Sequence, residues 1–324
     1  MITTNNGSFP WRGTPLAAAL DQALLAAPSG GPGDEARGIR DRLARQAIEA
    51  QVRAGCDLIT DGLVRRDDPV GQLIDGLSGI EPGELRQGFP AGDGRYRVPI
   101  VRDEIAWKSP ILAEDYLFAS AGAGASVKVV LTGPYTLAAV AEDHAYGEPA
   151  SLSMALATAL NRELRSLQAA GARFVQIDEP AILRHAEDFP IFTRLWEVLG
   201  RGVQLTLSLH LEGEALGNLY PGITHLKRLG CLSLDCVTRP ENLKVLGSAP
   251  LPEGLLLGLG LVTGENSEVE SADALAAAVR GAAGLPPFDR LLLGTGTDLG
   301  RLTADTAAAK LAVLAAAKRV LLAA

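Results

Sequence analysis

Seven ionisable side chains close short apolar runs along this chain: Asp61, Asp178, Glu179, His210, Glu212, Asp235 and Asp298. Gathered in one place, a histidine among carboxylates can hold an ammonium group, trade protons with a reacting atom or ligate a metal ion. Whether they gather depends on the runs that carry them. These are TTNNGSFP from residue 3, CDLITDG from 56, SVKVVLTGP from 126, FVQIDEP from 174, LTLSLHLEG from 205, CLSLDCV from 231, LLLGLGL from 255 and LLLGTGTDLG from 291. Near-continuous Val, Ile and Leu marks strands buried on both faces, as in a parallel sheet. Ala-rich stretches of helical character separate most of them. Eight strands alternating with helices predict an α/β fold, a (β/α)8 TIM barrel, whose chemistry sits at the C-terminal strand ends. The seven side chains would then meet at one mouth.

The intervening sequence agrees. Ile39, Leu43, Ala47, Ile48 and Val52 recur at helical spacing before Gly55, after a Gly/Pro/Ser-rich stretch at 27–38 that reads as a loop. Leu152, Leu156, Leu160, Leu164 and Leu167 form one stripe that ends at Gly171. Pro240 stands where a first helical turn should begin, and Thr303 can cap the last helix with Asp305 in its first turn. Residues 77–124 break the rhythm. Pro82-Gly83, Gly92-Asp93-Gly94 and an alternating segment at 95–102 predict a hairpin-containing insertion after the second strand, at about 76–124, on the side that shapes the mouth. The reading is a single barrel domain over 1–324.

Composition narrows the partners. The chain is 324 residues, 47% hydrophobic, with a net charge of −8. No basic stripe offers itself to nucleic acid or an anionic membrane, and no apolar stretch is long and uncharged enough to span a bilayer. Small molecules remain as partners: a substrate and the donor of whatever group it receives. Three cysteines, Cys56, Cys231 and Cys236, form no CxxC pair, and no secretory signal opens the chain. A cytoplasmic setting with free thiols is the expectation.

Several segments resemble the catalytic domain of the cobalamin-independent methionine synthase family, nearly end to end. GSFP at 7–10 looks like that family's opening motif, and AGCDLITDGLVRRDD at 54–68 resembles its next landmark. LTGPYTL at 131–137, QIDEPAIL at 176–183 and GLGLV followed by EVES within 258–271 are similar to the rest. The resemblance implies a methyltransferase of methionine biosynthesis, in which a zinc ion activates a thiol for attack on a methyl group. Zinc favours the thiolate, which is the nucleophile. The family's zinc ligands are His, Cys, Glu and Cys. They fall here on His210, Glu212, Asp235 and Leu299, so both thiolate positions are gone. The resemblance further implies Ser8 and Asp178 as substrate-holding residues, with Leu63 where a second carboxylate would stand. It implies Glu265 in place of a catalytic histidine.

The candidate set is therefore His210, Asp178, Asp235 and Glu265 for catalysis, with Ser8, Asp178, Glu179, Tyr135 and Arg65 for substrate. His210, Glu212 and Asp235 form a nitrogen/oxygen set for a zinc ion, should one bind. Plainer readings stand beside these. His210 can be a hydrogen-bonded pocket histidine without metal. Glu179 can cap a helix, Cys236 can pack against the helix layer, and Arg65 and Arg66 can be surface charges beside Asp67 and Asp68. A lyase or hydrolase using acid and base residues in the same barrel, or a non-catalytic ligand-binding homologue, are the alternative functions.

Overall fold

The computed structural model describes residues 1–26, 33–90 and 94–323. Its strands are β1 (Ile2–Thr4), β2 (Leu58–Ile59), β3 (Leu77–Gln87), β4 (Arg95–Trp107), β5 (Ser126–Thr132), β6 (Glu142–Asp143), β7 (Phe174–Asp178), β8 (Thr206–Leu211), β9 (Leu229–Asp235), β10 (Leu256–Val262) and β11 (Leu291–Thr295). Its helices are α1 (Pro15–Ala26), α2 (Asp34–Arg53), α3 (Gly71–Asp75), α4 (Ala113–Ser120), α5 (Pro134–Val140), α6 (Pro149–Ala169), α7 (Phe189–Leu199), α8 (Glu241–Val245), α9 (Ala272–Gly281) and α10 (Ala304–Leu322).

Eight strands close a parallel barrel in the order β1-β11-β10-β9-β8-β7-β5-β2, and β2 returns to β1 through the pair Thr4 and Leu58. Each apolar run of the sequence supplies one of them. Their outward Val, Ile and Leu side chains pack under the helix layer in one large core, which includes the α6 stripe Leu152, Leu156, Leu160, Leu164 and Leu167. The helix before Gly55 starts five residues earlier than the apolar spacing indicates, at Asp34, because Asp34 and Glu35 suit a first helical turn. Residues 34–38 of the supposed loop are thus helical, and 27–32 lie outside the described residues. Thr303 caps α10 as its position suggests, its Oγ1 accepting from the Thr306 N–H at 3.2 Å.

Between β2 and β5 the strands β3 and β4 pair antiparallel, and short β6 adds to β4 in parallel to make a three-stranded sheet. Gly92 and Asp93 of the expected turn lie outside the described residues. Glu163, fully buried on α6, fastens this unit to the barrel. Its carboxylate accepts from Trp107 Nε1 at 2.8 Å, the Ile111 N–H at 3.0 Å and the Leu112 N–H at 2.8 Å. A second buried charge ties down the loop after β10. Lys310 of α10, itself fully buried, donates to both carboxylate oxygens of Glu270, which also accepts from the Thr263 N–H. The EVES segment is held through that pair.

The barrel interior is graded along its axis with the period of two that a strand imposes. Ile2, Leu58, Phe174, Cys231, Leu256 and Leu292 form an apolar plug at the strand starts. Two residues further on, β7 carries Gln176 and β9 carries Ser233; two further still come Asp178 and Asp235. On β10 and β11 the corresponding places are glycines. A Cβ at Gly294 would lie 2.8 Å from Asn6 Nδ2, and one at Gly258 would lie 2.8 Å from Ser233 Oγ. The glycine side of the barrel thus leaves room for the polar side chains of the other strands.

Candidate active site

Asn6, just past β1, reaches Lys128 on β5, Gln176 on β7 and Ser233 on β9. None of those strands adjoins β1, so the four can meet only across the barrel interior. Lys128 Nζ donates to Asn6 Oδ1 at 2.8 Å and to Gln176 Oε1 at 2.7 Å. Gln176 Nε2 donates to the Asn6 carbonyl and to Asp178 Oδ1, each at 2.8 Å. Lys128 forms no ion pair among the described residues. Burial lowers its amine to about 7, although the charge of Asp178 pulls the other way. Sequence inspection passes over Lys128, Asn6, Gln176 and Ser233, though for three of them the signal is there: Lys128, Gln176 and Ser233 are polar residues at alternate positions of runs that are otherwise apolar.

Above this layer stand the ionisable groups. The β7–β8 register pairs Asp178 with His210. The His210 ring is nearly inaccessible, with Nδ1 3.0 Å from Ser233 Oγ and Nε2 3.8 Å from Glu212 Oε2. Burial lowers the imidazole's proton affinity, so the ring is neutral at neutral pH. Burial, then the charges of Asp298 and Asp235, push the Glu212 carboxyl well above its usual range. Burial also raises Asp178, against the opposing charge of His210 and its bond from Gln176. Ser8 is bound to the far side of the mouth: its N–H and Oγ–H donate to Asp298, which also accepts from the Gly300 N–H at 2.6 Å. Asp61 caps its own turn by accepting from the Leu63 N–H, and Leu63 takes a left-handed φ of 55°. A non-glycine residue there is strained, a feature that clusters at functional sites.

Five of the sequence-derived assignments change. Glu179 is a helix cap, not a ligand for substrate: it is buried, and its oxygens accept from the Tyr135 and Thr136 N–H groups at 3.0 and 2.7 Å. The DEP and TGPYT motifs are two halves of that cap, since a Cβ on Gly133 would sit 2.2 Å from the Glu179 carboxyl carbon. Tyr135 is likewise occupied. Its hydroxyl donates to Asp188 at 2.7 Å and its ring packs edge-on against Phe192. Arg65 pairs with Asp41, Glu114 and Asp115 and stacks 4.5 Å over Phe118, so it braces α2 against α4. Arg66 is the basic neighbour of the site, lining a cleft with Asp61, Leu63 and Lys128. Asp235 spends its carboxylate on its own turn, accepting from the Val237 and Thr238 N–H groups and the Thr238 hydroxyl. Glu265 is exposed on the loop after β10.

These geometries bear on zinc. Among the described residues no three His, Cys, Asp or Glu side chains are placed to hold a metal ion. Asp235 is committed elsewhere, Leu299 is fully buried carbon, and Cys236 packs in the core with its thiol pushed far toward the protonated form by burial. His210 and Glu212 alone do not make a tetrahedral site.

The buried ionisable groups predict how stability follows pH. Burial raises Glu179 from 4.5 to about 7, outweighing its hydrogen bonds from Thr136 and Tyr135. Between those values the folded chain keeps a proton that the unfolded chain has lost, so stability falls as pH rises through the window. Lys128 works in the opposite sense: from about 7 the unfolded chain holds the extra proton and stability rises with pH, until about 9, where the thiols of Cys56 and Cys231, raised by burial, begin to oppose it. Denaturant midpoints measured across this range should pass through a minimum near neutrality, and Lys128→Met should remove the alkaline rise. A flat profile in the wild type would contradict the assignment.

Fold and site together define a (β/α)8 barrel of the enzyme type, with its ionisable groups gathered at the C-terminal strand ends. The model of the cobalamin-independent synthase catalytic domain matches residues 1–319, and the chain belongs to that family of methionine synthase-like proteins. The methionine synthase of Saccharolobus solfataricus is 31% identical over 238 residues, covering 70% of this chain and 68% of that one. The methionine synthase of Methanothermobacter marburgensis is 29% identical over 271 residues, covering 82% and 84%. A solved B12-independent methionine synthase from Shewanella sp. W3-18-1, in complex with selenomethionine, shares the fold with a TM-score of 0.84 at 22% identity, over 99% of this chain and 97% of that one. No helix among the described residues is long and apolar enough to cross a membrane.

Proposed function

We propose that this protein transfers a methyl group to a thiol or related nucleophile without the thiolate-rich zinc centre that its family resemblance implies. The observation that carries the reading is the grouping of Asp178, His210 and Glu212 at the ends of β7 and β8: the barrel interior holds Asp178 through Gln176 and His210 through Ser233, and Glu212 lies 3.8 Å from the His210 ring. Asp178 accepts from the amine of the methyl acceptor. The thiol proton passes to Glu212, whose raised proton affinity suits it to that exchange. The sulfur lone pair then attacks the methyl carbon, and the donor's leaving atom departs with the electron pair of the broken bond. Neutral His210, 3.8 Å from Glu212, steadies the carboxylate before it takes the proton. Three buried, unpaired thiols fit a cytoplasmic setting.

Two expectations test this reading. Homocysteine should be a poor acceptor, because Leu63 supplies no second carboxylate and no zinc ion in a thiolate-rich site lowers the acceptor's pKa. Calorimetry with homocysteine, followed by assays with methylfolate and methylcobalamin as donors, measures this; tight binding and rapid methionine formation would overturn it. Purified protein dialysed and submitted to elemental analysis should carry well under one zinc per chain. Stoichiometric, chelator-resistant zinc would show that the loops rearrange to complete a site.

A further inference from the structure

We infer that Lys128 is a positioning residue that sets the hydrogen-bond polarity of the mouth, obliging Gln176 to present an N–H to Asp178 and leaving Asp178 to accept from the ligand. The inference rests on the reading of Asp178 as the group that holds the acceptor's amine. An ammonium has three N–H donors and no acceptor, and a neutral amine still has two N–H bonds. Both contacts of Lys128 Nζ are amide oxygens, at 2.8 Å on Asn6 and 2.7 Å on Gln176. With the oxygens so assigned, each amide nitrogen must face the other way. Gln176 Nε2 therefore meets Asp178 Oδ1 and the Asn6 carbonyl, and Asn6 Nδ2 meets the Thr295 carbonyl at 2.7 Å. A flipped Gln176 would set acceptor against acceptor at Asp178 and at the Asn6 carbonyl, and donor against donor at the protonated Lys128. All three side chains are almost wholly inaccessible, so no solvent rearrangement relieves that conflict. With no carboxylate in contact among the described residues, the lysine is placed to orient amides and not to neutralise a neighbour.

The test compares homocysteine with 4-mercaptobutanoate, the same thiol acid without the amine, by calorimetry. Lys128→Met should weaken homocysteine about tenfold, the loss expected when one orienting hydrogen bond goes, and leave 4-mercaptobutanoate unchanged. Parallel loss of both ligands would mean a general structural role and would overturn the inference, as would no loss of either. Gln176→Glu keeps an oxygen for Lys128 but removes the N–H offered to Asp178, so it should show the same selective loss; it decides the matter if Lys128→Met does not fold. A wild type that binds both thiols equally would defeat the reading of Asp178 instead, and one that binds homocysteine too weakly to measure gives no calorimetric readout. The inference is then judged by NMR alone. The Gln176 side-chain amide protons, assigned by their disappearance in Gln176→Leu, should move and exchange faster with water in Lys128→Met, and unchanged resonances would refute it.

Discussion

Asp178→Asn should lower kcat/KM toward an amine-bearing acceptor by roughly a hundredfold while leaving the protein at least as stable. The carboxylate sits at the end of β7, paired in register with His210, and accepts from Gln176 Nε2 at 2.8 Å. Its amide counterpart carries no charge for an ammonium and must turn its oxygen toward Gln176, leaving an N–H toward the ligand. Removing one partner of a buried charged pair costs on the order of 3 kcal/mol in binding. Stability should not follow activity down, because burial already raises the proton affinity of Asp178, so its charge is a liability in the empty fold. Steady-state kinetics beside a thermal melt separate the two effects. A variant with undiminished kcat/KM would remove Asp178 from the site, and a variant with both quantities reduced would make it structural.

The largest effect on stability is expected at Glu163. Its carboxylate receives one indole and two backbone N–H groups inside the protein, and no solvent reaches it. Glu163→Leu would leave all three donors buried without partners, at a cost of about 3–5 kcal/mol. Glu163→Gln should fall between, since its amide oxygen can still accept while its nitrogen opposes the remaining donors. Chemical denaturation gives both values. Limited proteolysis should cut first in the β3–β4 unit, because that is the part the contact fastens to α6. Equal stability of Glu163→Leu and wild type would mean that those donors find other partners.

Much of this protein was decided by sequence alone. A strand packed under helices must be apolar on its outer face, so the Val, Ile and Leu runs announced the barrel strands, and the residues that end them marked the mouth. The α6 stripe and the Thr303 cap were equally local, since helical spacing and capping act within a few residues. The antiparallel pairing of β3 with β4 was legible from its turn residues and alternation, but not the third strand β6, whose two residues carry no periodicity of their own. Whether a charged residue at a strand end faces ligand or its own backbone was not local at all. Glu179 and Asp178 are adjacent, and consecutive strand residues point to opposite sides. One caps α5 behind the barrel and the other faces the mouth. Arg65 and Arg66 divide in the same manner between a half-buried brace and the cleft. Lys128, Asn6 and Gln176 lie far apart in sequence, and only closure of the barrel brings β1 across from β5 and β7. The sequence determined which elements form and which residues end them; the tertiary structure decided which of those residues remain free to do chemistry, because a carboxylate already bonded to its own fold has nothing left to offer a ligand.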